Sequence, residues 1–153
     1  MNFDSTITFN SSGVQNISIT LKSAPDSMSQ MFMGCADLES ITINGFGKGI
    51  ELIEMDSAFS YCFGLVNISF TNCDFTHLEY MSDAFAHCQS LRNLNLTEFT
   101  TPNVRDASQA FLNCMSLTSI DVSNFDMSNA YSLKGMFKGC SNLTQLTAAV
   151  SLE

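Results

Sequence analysis

Two histidines and six cysteines are the residues of this chain best suited to nucleophilic chemistry. His87 adjoins Cys88, and His77 lies close to Cys73 and Asp74. These are the parts of a Cys–His pair, in which the imidazole takes the thiol proton and a carboxylate orients the imidazole. The placement works against it. Cys88 falls on the apolar side of its segment, and its immediate neighbour on a helix then points to water. His77 falls in the connection between a strand and the next helical pattern, where a polar residue is ordinary. A thiol in apolar surroundings is also raised in pKa and poorly reactive. No catalytic residue is assigned, and no enzyme activity is expected.

Metal and phosphate chemistry are no better supported. The chain has no C-x-x-C, H-E-x-x-H or EF-hand pattern. Asp121 and Asp126 flank a turn, with Asp74 and Glu98 at comparable heights in earlier segments. Calcium needs several convergent oxygen ligands, and these acids do not recur at one offset, so they read as solvated surface. Asn44-Gly45-Phe46-Gly47-Lys48-Gly49 matches no phosphate-binding loop and reads as a loop insertion. Asn16, Asn67, Asn95 and Asn142 each start an N-x-[ST] sequon, which chance explains in a chain so rich in Asn, Ser and Thr. No metal and no cofactor are expected. The net charge of −9, from 15 acidic and 6 basic residues, argues against nucleic acid, because phosphate binding needs clustered Lys and Arg.

The elements that carry these residues follow from a repeat. Cys35, Cys62, Cys88, Cys114 and Cys140 are separated by 27, 26, 26 and 26 residues, each with Phe three before it and Leu three after it. A period this regular predicts a solenoid of stacked supersecondary units. In each unit the first half places apolar residues at offsets 0, 3, 4 and 7, as in Met81, Ala84, Phe85 and Cys88, which predicts a short helix. The second half alternates, as in Leu91, Leu94 and Leu96, which predicts a short strand. The fold class is therefore α/β: a right-handed leucine-rich-repeat solenoid of about five units, its strands parallel and about 4.8 Å apart.

The predicted units are 28–54, 55–80, 81–106, 107–132 and 133–153, in a single structural domain. Residues 1–27 do not follow the repeat. Ile7 and Phe9 alternate with polar residues, a turn follows at 10–13, and Ile17, Ile19 and Leu21 alternate again. That pattern predicts an N-terminal β-hairpin that caps the first rung. No run approaches 18 apolar residues, and the N-terminus lacks a basic region followed by an apolar stretch, so neither a membrane span nor a signal peptide is expected. With no matching cap predicted at the other end, self-association through the C-terminal rung is an open expectation.

Stacking puts Phe32, Phe59, Phe85, Phe111 and Phe137 in one inward column and the five repeat cysteines in another. The cysteines are expected as free thiols acting as small hydrophobes, because disulfides need Cβ atoms closer than the strand spacing gives. Cys73 takes the place that Phe46, Phe99 and Phe125 hold elsewhere and is also expected in the core. Outward-facing strand residues form two polar columns, Ser40, Asn67, Asn93, Ser119 and Gln145, then Thr42, Ser69, Asn95, Asp121 and Thr147, with Arg92 at the edge. This is the candidate binding face. It lacks the Trp, Tyr and Arg anchors that dominate interface hot spots, so affinity is expected to come from repetition.

The units, above all SLTSIDVSNFDMSNAYSLKGMFKGCSNLTQL at 116–146, closely resemble the BspA-type leucine-rich repeats of bacterial surface proteins and the related mycoplasma lipoprotein repeats. The resemblance covers residues 28 to about 147 and involves some ten positions in register. It implies a secreted or cell-surface protein used in adhesion, aggregation or host contact and no enzyme activity, while the polar sheet face itself suits a protein or glycan ligand. A structural or assembly role, such as a spacer or virion part, is the alternative.

Overall fold

The structure is a computed structural model and describes residues 16–20, 26–45 and 51–149. Its strands are β1 (Asn16–Thr20), β2 (Ser40–Asn44), β3 (Asn67–Thr71), β4 (Asn93–Asn95), β5 (Ser119–Val122) and β6 (Gln145–Ala148). β1 to β4 form one parallel sheet in chain order, and β5 and β6 form a second. Ile41, Ile68 and Leu94 pair in register across β2, β3 and β4. Branched and aromatic residues alternate with small polar ones in these strands, so Ile41, Ile43, Ile68 and Phe70 are buried while their neighbours are not. A second parallel ladder joins Ser27, Glu54, Tyr80, Asp106 and Ser132 on the far side of each coil. Together the ladders define a parallel β-solenoid of about four complete turns.

The predicted helices are not there. Among the described residues no segment is helical. Residues 55–62 instead form three overlapping turns, closed by Ala58 N–H to Met55 O (3.1 Å), Ser60 N–H to Ser57 O (3.1 Å) and Cys62 N–H to Phe59 O (3.2 Å). The intervening N–H groups of Ser57, Phe59 and Tyr61 donate to the next coil, at Ser82 O, Ala84 O and Ala86 O (2.8–2.9 Å). Each coil repeats this with a positive φ at the third and seventh residues: Gln30 and Gly34, Ser57 and Tyr61, Asp83 and His87, Gln109 and Asn113, Gly135 and Gly139. Such a path also turns offsets 0, 3, 4 and 7 inward, which is why its apolar pattern mimics a helix.

Packing distance decides between the two. Helix axes approach no closer than about 8–10 Å, whereas strands pair at about 4.8 Å. The inward phenylalanines stack at 5.1 Å (Phe32–Phe59) and 5.4 Å (Phe59–Phe85, Phe85–Phe111, Phe111–Phe137), with ring planes within 9°. The rings of the turn half therefore advance by 5.1–5.4 Å per coil, too short a step for stacked helices. Phe59, Phe85 and Phe111 are fully buried, and Phe32 and Phe137 at the outer coils are half-buried. A second aromatic group, Phe70, Phe75, Phe99 and Phe125, packs beside this column, with Phe70 edge-on to Phe59 (6.3 Å) and Phe85 (6.5 Å).

Of the expected N-terminal hairpin, residues 1–15 and 21–25 lie outside the described residues. The part described, β1, runs parallel to β2 with Asn16 opposite Ser40. The glycine-rich segment 46–50 also lies outside them. The sheet separates between β4 and β5, but the core does not: Leu96, Phe99, Ile120, Val122 and Phe125 belong to one continuous cluster.

Candidate functional site

Four of the five repeat cysteines use their thiols in the same way. Cys62, Cys88, Cys114 and Cys140 donate Sγ–H to the carbonyls of Phe32, Phe59, Phe85 and Phe111 in the preceding coil, at 3.0–3.2 Å. The thiol thus gives a core carbonyl a second donor while filling a small apolar space. Burial pushes Cys62 up to about 12 and raises Cys88 as well. Cys114 is raised by the adjoining Cys140 thiol and by burial. No disulfide forms among the described residues, whose cysteines are free thiols. Cys35, in the first described coil, differs from the inward column: it is exposed.

The Cys–His arrangements are not assembled. His87 turns away from the buried Cys88 and stacks on Tyr61, with ring centroids 4.6 Å apart. His77 is exposed, with Nδ1 3.4 Å from Thr76 Oγ1. Cys73 is half-buried against the core, and its thiol donates to Thr71 O (3.4 Å). The acidic residues that flank turns bond within their own loops. Asp121 Oδ1 accepts the Ser123 N–H (2.9 Å) and Asp126 Oδ1 the Ser128 N–H (3.0 Å). The hydroxyl and the N–H of those serines hold both carboxyls below the usual range. Asp74 Oδ1 does the same for Thr76, accepting both N–H (3.0 Å) and Oγ1–H (2.6 Å). The carboxylate of Glu98 crosses between coils to the Cys73 N–H (2.7 Å). Among the described residues, no three His, Cys, Asp or Glu side chains are grouped to hold a metal ion.

The polar columns of the sheet face come together as registered neighbours. Ser40, Asn67 and Asn93 are opposite one another across β2, β3 and β4, as are Thr42, Ser69 and Asn95. Ser119 faces Gln145, and Asp121 faces Thr147, across β5 and β6. Ser40, Thr42 and Ser69 are half-buried; the other strand positions and Arg92 are exposed. Side chains bond along the columns: Asn93 Nδ2–H to Asn67 Oδ1 (2.7 Å), Thr42 Oγ1 with Ser69 Oγ (3.0 Å) and, at the strand ends, Asn72 Nδ2–H to Asn44 Oδ1 (3.1 Å). Each such pair leaves lone pairs and N–H groups pointing outward. The gap between β4 and β5 divides the face into two panels.

A repeat of this geometry has a counterpart among protein families. The profile described as "BspA type Leucine rich repeat region (6 copies)" matches residues 5–92. The chain belongs to this family. A second profile, "Mycoplasma protein of unknown function, DUF285", matches residues 53–151. The BspA-type match begins at residue 5, so most of the segment whose sequence pattern stood outside the repeat falls inside the family's repeat region. A crystal structure of a T. pallidum leucine-rich repeat protein is similar at 21% identity, covering 86% of this BspA-type chain and 69% of its own, with a TM-score of 0.48. No curated protein matches the chain. Among the described residues, no helix is long and apolar enough to cross a membrane.

Sequence reasoning missed an aromatic surface. Tyr61 and Phe63 are exposed and meet edge to face at 6.0 Å, just before β3. The signal was two large aromatics in a corner where most other units carry small or polar residues: Gly34 and Ala36, His87 and Gln89, Asn113, and Gly139 and Ser141, with the exposed Met115 the exception.

Proposed function

We infer that this chain is a non-enzymatic binding module of the adhesion type, carried on a cell surface or secreted, which offers its polar sheet face to a protein or glycan. The carrying observation is the pair of registered columns through Asn67 and Asn93 and through Ser69 and Asn95, whose amides and hydroxyls repeat in register from strand to strand. Hydrogen-bonding groups repeated at a constant step suit a ligand with its own repeat, where many weak contacts add. Membership of a leucine-rich repeat family supports an interaction role. A paired glycan and protein screen tests it, using wild type, Asn95→Arg and Ser69→Trp. Capture by wild type, lost in both variants while their circular dichroism is unchanged, supports the reading. Capture that survives both substitutions overturns it.

One observation favours assembly as a second reading. In the last described coil Leu146 is 44% exposed on β6, and Phe137 and Leu143 are only partly covered. Light scattering of wild type and Leu146→Glu separates the readings: a wild-type oligomer that the variant dissolves supports assembly, and a wild-type monomer removes it.

A further inference from the structure

Beside the ladder through Tyr80, Asp106 and Ser132, equivalent residues of successive coils form two exposed columns. One holds His77, Asn103 and Asn129; the other holds Glu79, Arg105 and Tyr131. The backbone knits the second column, with Arg105 N–H donating to Glu79 O and Tyr131 N–H to Arg105 O, both at 2.8 Å. An open hollow of about 420 Å³ is lined by Asn103, Arg105, Asn129 and Tyr131. Each of these side chains is tied at one point. Asn103 Nδ2–H donates to Thr76 O (2.7 Å) and Asn129 Nδ2–H to Pro102 O (2.9 Å). Arg105 Nε pairs with Glu79 Oε2 (3.2 Å), and Tyr131 O–H donates to Asp106 Oδ2 (3.3 Å). Those bonds fix what is left for a ligand. It is two amide oxygens that accept, one coil apart, guanidinium N–H groups that donate, and the Tyr131 ring, 71% exposed.

Charge and spacing narrow the ligand. A cation would meet the guanidinium. An anion would meet two amide oxygens, an arginine already paired with Glu79, and Asp106 behind Tyr131. An apolar molecule would strip water from these groups and return no hydrogen bond. A peptide strand laid along the columns offers N–H groups on one edge every second residue, about 6.8 Å apart, whereas the amide oxygens recur at the coil step of about 4.8 Å. A pyranose ring is neutral, each of its hydroxyls both donates and accepts, and its C–H face packs flat on an aromatic ring. We propose that Asn103, Arg105, Asn129 and Tyr131 form a subsite for one ring of a neutral sugar. The subsite lies beside the second ladder, off the sheet face, and does not depend on a ligand there.

The test is a nuclear magnetic resonance titration of the isotope-labelled chain, at slightly acid pH, with the neutral disaccharides cellobiose, maltose and diacetylchitobiose. Glucuronate, glucosamine and acetyl-trialanine amide serve as the anionic, cationic and peptide counterparts. At least one disaccharide is expected to move the Asn103, Arg105, Asn129 and Tyr131 resonances and to bind more tightly than all three counterparts. Tyr131→Ala, at a side chain mostly in solvent, should weaken that sugar about threefold or more. Arg105→Gln should weaken it as well, and Asn95→Arg on the sheet face should leave it unchanged. No response to the disaccharides, tighter binding of any counterpart, or an affinity that survives Tyr131→Ala overturns the proposal. Shifts confined to the sheet-face columns overturn it too, while leaving the sheet-face reading in place.

Discussion

The thiol column makes the fold sensitive to alkali, by an amount that can be worked out. Cys62, Cys88 and Cys114 are fully buried and donate to carbonyls of the preceding coil. In the unfolded chain a thiol ionises near pH 8.5. In the folded chain burial keeps Cys62 protonated up to about pH 12, and Cys88 and Cys114 are raised too. Above about pH 8.5 unfolding thus releases protons, so stability is whole below that pH and falls as pH rises toward the folded-state values. Each buried thiol contributes a slope of about 1.4 kcal/mol per pH unit, and the three together about 4. Domain stabilities lie at about 5–15 kcal/mol, so such a slope becomes decisive within a few pH units. The assay is urea unfolding under reductant, followed by circular dichroism at neutral pH and at about pH 9.5 and 10.5. Cys88→Ala has a lower baseline from lost packing, but its stability should fall less steeply, by about 1.4 kcal/mol per pH unit. Tyrosine and lysine titration is common to both proteins and cancels in the comparison. An unchanged slope in Cys88→Ala would refute the assignment of these thiols as neutral structural donors.

Three other outcomes follow from the packing. Phe85→Ala removes a ring stacked on both sides, at 5.4 Å from Phe59 and from Phe111, and should cost about 3–5 kcal/mol in chemical denaturation. Asn93→Ala, on the exposed face, should cost less than about 0.5 kcal/mol by the same measurement; equal costs would refute the register. Thr101 is 0% exposed with no partner for its hydroxyl in the structure, so Thr101→Val should raise stability, by about 1 kcal/mol, and a clear loss would show that the hydroxyl is bonded. Glu79 and Arg105 form a surface ion pair at 3.2 Å, with the arginine side chain 55% exposed, and Glu79→Gln should change the melting temperature little, with any change vanishing in high salt.

The strand half of each unit was legible because alternation leaves little freedom. Once Ile41 and Ile43, or Ile68 and Phe70, are inward, the residues between them must face out, and a constant period lines them up. The turn half was not, because apolar residues at offsets 0, 3, 4 and 7 satisfy two backbone paths. The discriminating residues were the third and seventh of each unit. Gly34, Gly135 and Gly139 are poor helix formers, and Asp83, His87 and Asn113 are types that accept positive φ. The repeat cysteines were correctly read as free thiols, but Cys35 is exposed rather than inward, and the acceptors of the other four were hidden. A carbonyl nearly thirty residues away leaves no local trace in sequence. The candidate face was named residue by residue, whereas Tyr61 and Phe63 were overlooked, because exposure at a corner depends on the coil on either side.

The alternating hydrogen bonds of the turn side have an evolutionary consequence. Each described coil but the last donates forward from four N–H groups to equivalent carbonyls of the next, so on the turn side each junction between these coils is chemically the same joint. Duplicating or deleting one 26-residue stretch of coding sequence would recreate that joint without inventing a new one. Array length can therefore drift by recombination, while substitutions at outward positions adjust what each coil shows. Selection on reach and selection on recognition would then act on separate variables, a freedom that a globular core with unique contacts does not allow.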